Sequence, residues 1–165
     1  MEALKTQQEY NLEHESVDLE EIFQKRVETF SADIIKSDAL VTHDFSVVKK
    51  VEYNRSYLES IMLNLLSNAL KYKAPNRKPQ IHFETFATVG CTGLKVRDNG
   101  RGIDLEKYGG QLFGLNKTFH EHAEGKGVGL YLIKTQVESK GGTITAKSVV
   151  GEGTEFKVIL FSGIK

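Results

Sequence analysis

Apolar residues recur at helical spacing in three parts of the chain. The first set follows Ser16 and Asp18, either of which can cap a helix, and it consists of Leu19, Ile22, Phe23, Val27, Phe30 and Ile34. The second covers residues 57–72 and ends before a polar cluster with two prolines. The third covers residues 130–139 and ends at Gly141 and Gly142. This periodicity predicts three helices.

Shorter β-type segments lie between and after these helices. Residues 39–51 contain short β-like pieces, and residues 81–88 and 94–96 predict two strands with a turn around Gly90 and Gly93. Residues 143–149 and 154–161 predict a hairpin around Gly151 and Gly153. This order predicts an α+β fold, a two-layer α/β sandwich with helices covering one face of a sheet.

The composition is that of a single globular domain from a reducing compartment. The chain has 165 residues, 39% of them hydrophobic, and its one cysteine, Cys91, excludes an internal disulfide framework. With 22 basic and 22 acidic residues the net charge is zero, which argues against a general nucleic-acid binder. No apolar run approaches the roughly 18 residues of a membrane span, and the polar N-terminus has no signal-peptide core. We therefore expect a cytoplasmic domain that makes no direct membrane contact.

The helix predicted over residues 57–72 carries polar side chains on a second face. Asn64, Asn68 and Lys71 stand at i, i+4 and i+7, so they share one side of the helix beside an apolar stripe. Asparagine is a mediocre helix former, and a buried one needs hydrogen-bond partners. An oxygen-rich ligand or a hydrated metal ion would supply them, whereas a solvated polar face would need none. The helix alone leaves both interpretations open.

Three glycine-rich segments follow this helix. Residues 98–104, Asp-Asn-Gly-Arg-Gly-Ile-Asp, come after a predicted strand, and residues 125–130, Gly-Lys-Gly-Val-Gly-Leu, open directly into a predicted helix. Backbone N–H groups of glycine at a helix N-terminus form an anion site suited to phosphate. Residues 151–156, Gly-Glu-Gly-Thr-Glu-Phe, predict by themselves only a hairpin turn. No single segment specifies a function.

In this order and spacing, the asparagine helix and the three glycine boxes resemble the ATP-binding catalytic domain of sensor histidine kinases, in the GHKL ATPase superfamily. The resemblance covers residues 17–161, with the asparagine motif (the N-box) at residues 64–72. It implies a Bergerat-type fold, in which a mixed, mainly antiparallel sheet is backed by about three helices. It also implies that ATP and Mg²⁺ bind between helices under a mobile lid.

The resemblance assigns roles to individual residues. Asn68 would coordinate the Mg²⁺ that bridges the phosphates, with Asn64 beside it, and Lys71 would contact phosphate, which makes these three the catalytic set. Tyr72 would pack on the adenine, and Asp98 would accept a hydrogen bond from the adenine amino group. The other residues expected around ATP lie in the lid and the glycine boxes: Gly100, Gly102, Ile103, Phe113, Lys117, Gly125, Lys126, Gly127, Val128, Gly129, Leu130 and Thr154.

Two positions separate this chain from other members of the superfamily. ATP-hydrolysing relatives carry a glutamate, the general base for water, where this chain has Asn64, so the sequence favours transfer to a protein acceptor. In the lid, Asn116 and Thr118 stand where the family has a phenylalanine and an arginine. Lys117 would supply the missing positive charge. We expect altered lid contacts and an intact set of adenine and Mg²⁺ residues.

A complete sensor kinase also has an upstream dimerising helical hairpin that carries a phosphoacceptor histidine. None of the five histidines lies in the sequence context of such a residue. We therefore interpret residues 1–16 as a remnant of that hairpin or a linker, and residues 17–165 as the catalytic domain. The resemblance implies a homodimeric parent, membrane-anchored or not, and a downstream response regulator. A nucleotide-binding interaction module without catalysis and an anti-sigma-type serine kinase are the alternatives.

Overall fold

A five-stranded sheet forms one layer of the molecule, and helices form the other. The computed structural model describes residues 14–114 and 129–162. In chain order the elements are β1 His14–Asp18, α1 Leu19–Thr29, α2 Ser31–Ser37, β2 Leu40–Asp44, β3 Lys50–Asn54, α3 Arg55–Lys71, β4 Gln80–Thr88, β5 Cys91–Asp98, α4 Leu105–Tyr108, a 3-10 turn Gly109–Gln111, α5 Gly129–Ser139, β6 Thr143–Val149 and β7 Gly153–Ser162. The strand order is β2-β4-β5-β7-β6, and only the β2–β4 pair is parallel. The predicted mixed, mainly antiparallel sheet is confirmed.

The core lies between one face of this sheet and helix α3. Alternate residues of β4 and β7 are buried, as the two-residue period of a strand requires. The apolar stripe of α3 faces them, and α3 also contacts α1 on one side and α5 on the other. The buried residues of α3 are Leu58, Ile61, Met62, Leu65, Leu66, Ala69 and Leu70. Within the described ranges, no helix is long and apolar enough to cross a membrane.

Helices α1 and α3 begin at capping side chains. The Asp18 carboxylate accepts a hydrogen bond from the Glu21 N–H at 3.2 Å, as the sequence predicted. The Asn54 side chain accepts one from the Tyr57 N–H at 3.0 Å, so α3 begins two residues before the predicted start. The first predicted helix is divided at Phe30, which ends α1. The apolar periodicity continues across this break because Phe30 and Ile34 pack on the same core.

Strand β1 pairs antiparallel with β3 in a separate two-stranded sheet. Val17 lies opposite Val51, and both side chains are buried. Residues 14–16 are therefore strand and not the end of a helix. Whether they belong to a linker stays a prediction. The predicted domain division at residue 17 falls inside this strand. Residues 1–13 lie outside the described residues, so their origin as a hairpin remnant stays a prediction.

The turn between β4 and β5 consists of Val89 and Gly90, and the φ of Gly90 is +78°. Gly93, predicted as part of that turn, lies inside β5, where a Cβ would stand 2.5 Å from Cζ of the Phe86 ring. Glycine therefore leaves room for an aromatic ring on the sheet. Strand β5 is longer than the predicted 94–96 because its ends are held by pairing with β4 and β7.

Candidate functional site

The polar face of α3 carries two amide groups, and that of Asn64 lies against the start of α5. The Asn64 Nδ2 donates to the Ser60 carbonyl oxygen at 2.8 Å and lies 3.2 Å from the Ser60 hydroxyl. The Asn64 Oδ1 faces Gly129, where a Cβ would stand 2.7 Å from it. The Asn68 side chain, half-buried, makes no hydrogen bond to any described residue. Both amides therefore keep an oxygen available for a ligand.

The second glycine box meets this face at the first residue of α5. Gly129 is its first helical residue, and Leu130 behind it is buried in the core, which anchors the helix. The backbone N–H groups of a helix's first turn have no partner within the helix and favour an anion. The rest of the expected lid and box lies outside the described residues: Lys117, Gly125, Lys126, Gly127 and Val128.

Asp98 is the last residue of β5, and its carboxyl group is half-buried. Its Oδ1 accepts a hydrogen bond from the Gly100 N–H at 2.8 Å. Burial raises the pKa of Asp98 to about 6, and this is opposed by hydrogen bonds from the backbone N–H groups of Gly100 and Thr154 and by the charge of Arg77. The fold thus places a hydrogen-bond acceptor at the end of β5, although burial of its charged form costs free energy.

The first and third glycine boxes lie side by side and are joined by hydrogen bonds. Asp98 and Thr154 are paired in the β5–β7 register. The Ser148 hydroxyl accepts from the Ile103 N–H at 2.7 Å and shares a hydrogen bond with the Thr154 hydroxyl, also at 2.7 Å. Ser148 was not predicted to belong to the site, because a single serine in a strand has no distinguishing signal. The third box is a hairpin turn, as predicted, and it also supports the first box.

Close contacts between backbones explain the glycines of the first box. A side chain at Gly102, whose φ is +74°, would overlap the Val149 carbonyl oxygen. A Cβ at Gly100 would stand 2.5 Å from the Tyr72 carbonyl oxygen. That oxygen also accepts from the Arg101 N–H at 3.0 Å. Glycine at these two positions lets the first box pack closely against the end of α3 and the β6–β7 hairpin. This explains the glycines independently of the predicted approach of a nucleotide.

Arg77, in the loop after α3, contacts two of the glycine boxes, which was not predicted from the sequence. Its Nε donates to the Asn99 carbonyl at 2.7 Å, and its Nη2 lies 2.9 Å from the Gly100 carbonyl and 2.8 Å from the Gly151 carbonyl. One guanidinium therefore joins this loop, the first glycine box and the third. In the sequence, Arg77 is hidden in a polar cluster that predicts only a loop.

The remaining expected residues line the same region. Tyr72 ends α3 with a half-buried ring, and burial raises the pKa of its hydroxyl. The Lys71 Nζ lies 5.9 Å from the centroid of that ring. Ile103 is buried, and the half-buried Phe113 ring lies 6.4 Å from that of Phe156. The structure therefore brings the N-box and the first and third glycine boxes into one contiguous region.

The oxygen ligands present suit a magnesium ion carried by phosphates. No group of three or more His, Cys, Asp or Glu residues able to hold a metal occurs among residues 14–114 and 129–162. Mg²⁺ prefers oxygen, keeps several waters, and is commonly bound through one or two protein ligands plus substrate phosphates. The Asn68 amide oxygen, which has no hydrogen-bond partner among the described residues, fits that mode of binding.

Comparison with known proteins places this arrangement in a family. The model of the histidine kinase-, DNA gyrase B- and HSP90-like ATPase family (HATPase_c) matches residues 53–163. The chain belongs to this family. The match spans α3 and all three glycine boxes, so the motifs that carry the resemblance are those that identify the HATPase_c domain.

Similar proteins are sensor kinases and their catalytic domains. The chain is 25% identical over 157 residues to the sensor protein RprX of Bacteroides fragilis, covering 93% of this chain and 30% of that protein. It superposes on a mycobacterial sensor histidine kinase, MprB, with a TM-score of 0.73 and 24% identity over 91% of this chain and 97% of that one. The catalytic domain of histidine kinase ThkA gives 0.75 and 20%, over 91% and 96%. The HATPase_c fold is therefore shared over nearly the whole described chain, although the chain spans under a third of RprX.

Proposed function

We propose that this HATPase_c domain binds Mg-ATP and donates the γ-phosphoryl group to a histidine on a separate dimerisation domain. The observation that carries the proposal is the continuity of the site. The Asn64 amide of α3 faces the start of α5, Asn68 lies one turn further along the same face, and the Tyr72 carbonyl at the end of α3 contacts the first glycine box beside Asp98. One continuous surface therefore offers groups that can contact the phosphates and groups that can contact the adenine base.

The adenine end of the proposed site is built around Asp98. The carboxylate would accept a hydrogen bond from the 6-amino group of adenine, since that group is a donor and a carboxylate is acceptor-only when ionised. The Thr154 hydroxyl lies at the paired position of β7 and is held by Ser148. The half-buried Tyr72 ring offers an apolar surface to the base.

The phosphate end is built around Asn68, Lys71 and the start of α5. Lys71 forms no ion pair with any described residue, so its charge is available to phosphate. Asn68 would hold the magnesium ion, which neutralises charge on the phosphates when bound. Phosphoryl transfer depends mostly on such positioning and charge neutralisation, with little covalent work for the protein.

Asn64 supports transfer to a protein acceptor over hydrolysis of ATP. Its amide is neutral and takes no proton, and its Nδ2 is already committed to Ser60. A water molecule at this point would therefore lack a general base. The similar proteins are named as sensor kinases, which agrees with a phosphoacceptor histidine, a homodimeric parent and a response regulator as partners. A cytoplasmic location and the absence of nucleic-acid binding complete the proposal.

Replacement of Asn68 tests the magnesium assignment. In a calorimetric titration of the purified chain with ATP, we expect Mg²⁺ to tighten binding to wild type, and Asn68→Ala to weaken that Mg²⁺-dependent part about 10- to 100-fold, the range for losing a group that orients a metal. Asn76→Ala, an exposed amide in the loop after α3, is the matched control and should behave as wild type. Equal Mg²⁺ dependence in all three proteins would refute the assignment.

Addition of the phosphoacceptor hairpin in trans tests the transfer. We expect the chain alone to gain little label from γ-labelled ATP, and a supplied histidine-bearing hairpin to gain label that is acid-labile and base-stable. Acid-stable label on a partner would instead favour the serine-kinase alternative. Binding of ATP without any transfer would favour the interaction module.

A further inference from the structure

We propose that Arg77 is a positioning residue that sets the adenine selectivity of this domain by fixing the backbone around Asp98. The inference rests on the proposed function, since it concerns how the same site recognises its base. It assigns a role to a residue outside the four motifs.

Arg77 holds the two peptide carbonyls that follow Asp98. Its guanidinium donates to the carbonyl oxygens of Asn99 and Gly100, at 2.7 and 2.9 Å. The Gly100 N–H, in turn, donates to the Asp98 Oδ1 at 2.8 Å. The orientation of this peptide segment therefore decides which direction the Asp98 carboxylate faces.

The third contact of Arg77 fixes the same segment against the neighbouring hairpin. The Nη2 donates to the Gly151 carbonyl at 2.8 Å, and the Gly151 N–H donates to the Arg101 carbonyl at 2.7 Å. Asn99 adds a further connection, since its Oδ1 accepts from the Gln80 N–H at 2.8 Å. The segment after Asp98 is thus held by Arg77, by the hairpin at Gly151 and by Gln80. The Arg77 guanidinium contacts both the segment and the hairpin.

Arginine is chemically suited to this position because its donors are fixed in one plane and it remains charged at all relevant pH values. Lysine could reach one carbonyl with the same charge but could not hold three at defined angles. The positive charge of Arg77 also lies close enough to Asp98 to favour the ionised, acceptor-only form of the carboxylate. Both effects act on the group that would meet the adenine amino hydrogen.

Selectivity between ATP and inosine triphosphate reports this role directly. Inosine triphosphate has a keto oxygen where ATP has the amino group, so it places an acceptor against the Asp98 carboxylate. We expect wild type to prefer ATP about 100-fold in calorimetric titrations with Mg²⁺. In Arg77→Met, we expect this preference to fall about 10-fold, chiefly through weaker ATP binding, while inosine triphosphate binds nearly as before. In Arg77→Lys, which keeps the charge without the three-way contact, we expect the preference to stay below the wild-type value.

Lys78→Met is the matched control. It removes a positive charge from the next residue of the same loop, where the exposed Lys78 forms an ion pair with Asp38 at 2.6 Å. Its ATP preference should equal that of wild type. If Arg77→Met does not fold, Arg77→Lys alone decides the result.

The outcomes separate the inference from the proposed function. An unchanged preference in folded Arg77 variants, even with lowered melting temperature, overturns the inference and assigns Arg77 to stability alone. Failure of folded wild type to bind either nucleotide overturns the proposed function and the positioning role with it.

Discussion

Asp98→Asn is expected to weaken ATP binding strongly while leaving the domain folded. The substitution keeps one oxygen to accept from the Gly100 N–H, but it places an amide donor where the second carboxylate oxygen stood. That donor would face the adenine amino group, which is also a donor, so we expect affinity to fall at least about 100-fold. Calorimetric titration with ATP and Mg²⁺ measures the loss.

The stability of the same variant should depend on pH differently from that of wild type. Burial raises the pKa of Asp98 to about 6, above its ordinary 3.8, so the unfolded chain gives up this proton more readily than the folded one. The carboxyl therefore favours folding below about pH 4, and that contribution is lost as the pH rises through about 6. Asparagine lacks this titration but also gives up one of the two acceptor oxygens near the Gly100 and Thr154 N–H groups. We therefore expect the free energy of unfolding of Asp98→Asn, relative to that of wild type, to rise by on the order of 2 kcal/mol between pH 4 and pH 7.5, as urea denaturation at the two pH values measures.

Asp104→Asn is the control for both measurements. It makes the same change in the same segment, at an exposed residue that caps α4 by accepting from the Lys107 N–H at 3.2 Å. Asparagine caps a helix about as well as aspartate, so this variant should bind ATP like wild type. Folded Asp98→Asn that binds ATP with wild-type affinity would contradict the adenine assignment.

Gly153→Ala is expected to be the most destabilising single-methyl change in the described glycine boxes. Gly153 has φ +137°, a conformation that residues with a Cβ rarely adopt, and a Cβ there would overlap the Asp98 carbonyl oxygen on the paired strand. The nearest atoms all belong to the backbone of Asp98 and Asn99, which cannot rotate away as a side chain can, so β5 and β7 would have to separate. We expect the free energy of unfolding to fall by about 3 kcal/mol or more. Urea denaturation measures it.

Gly151→Ala is the control that separates the effect of the steric clash from the effect of placing a Cβ at a positive φ. Gly151 lies two residues earlier in the same turn, also has positive φ, at +84°, and a Cβ there would meet nothing within 4 Å. Its replacement should cost only about 1 kcal/mol, the ordinary cost of placing a Cβ in the left-handed region. Equal losses in the two variants would mean that the contact with Asp98 is unimportant for stability.

The elements that follow from local pattern were predicted well. The predictions of helices α3 and α5 and of the β6–β7 hairpin were confirmed. Their sequence signals, which are apolar periodicity, capping residues and turn glycines, lie within a few positions of one another. Strand β1 was missed, because residues 14–18 have little β character of their own and become a strand by pairing with β3. Gly93 was misplaced for a related reason: its role depends on a ring and a carbonyl from other strands.

The sequence by itself determined the family, the α+β class and the residues that carry the four motifs. The motif residues Asn64, Asn68 and Asp98 can be recognised in the sequence because each lies at a characteristic spacing from its neighbours within one helix or one turn. Only the tertiary structure decided how the motifs meet. Arg77 binds carbonyls of Gly100 and Gly151, which are 23 and 74 residues away in the chain. Such contacts are made to backbone atoms, which every residue has, and so they leave no signature in the sequence of the partner.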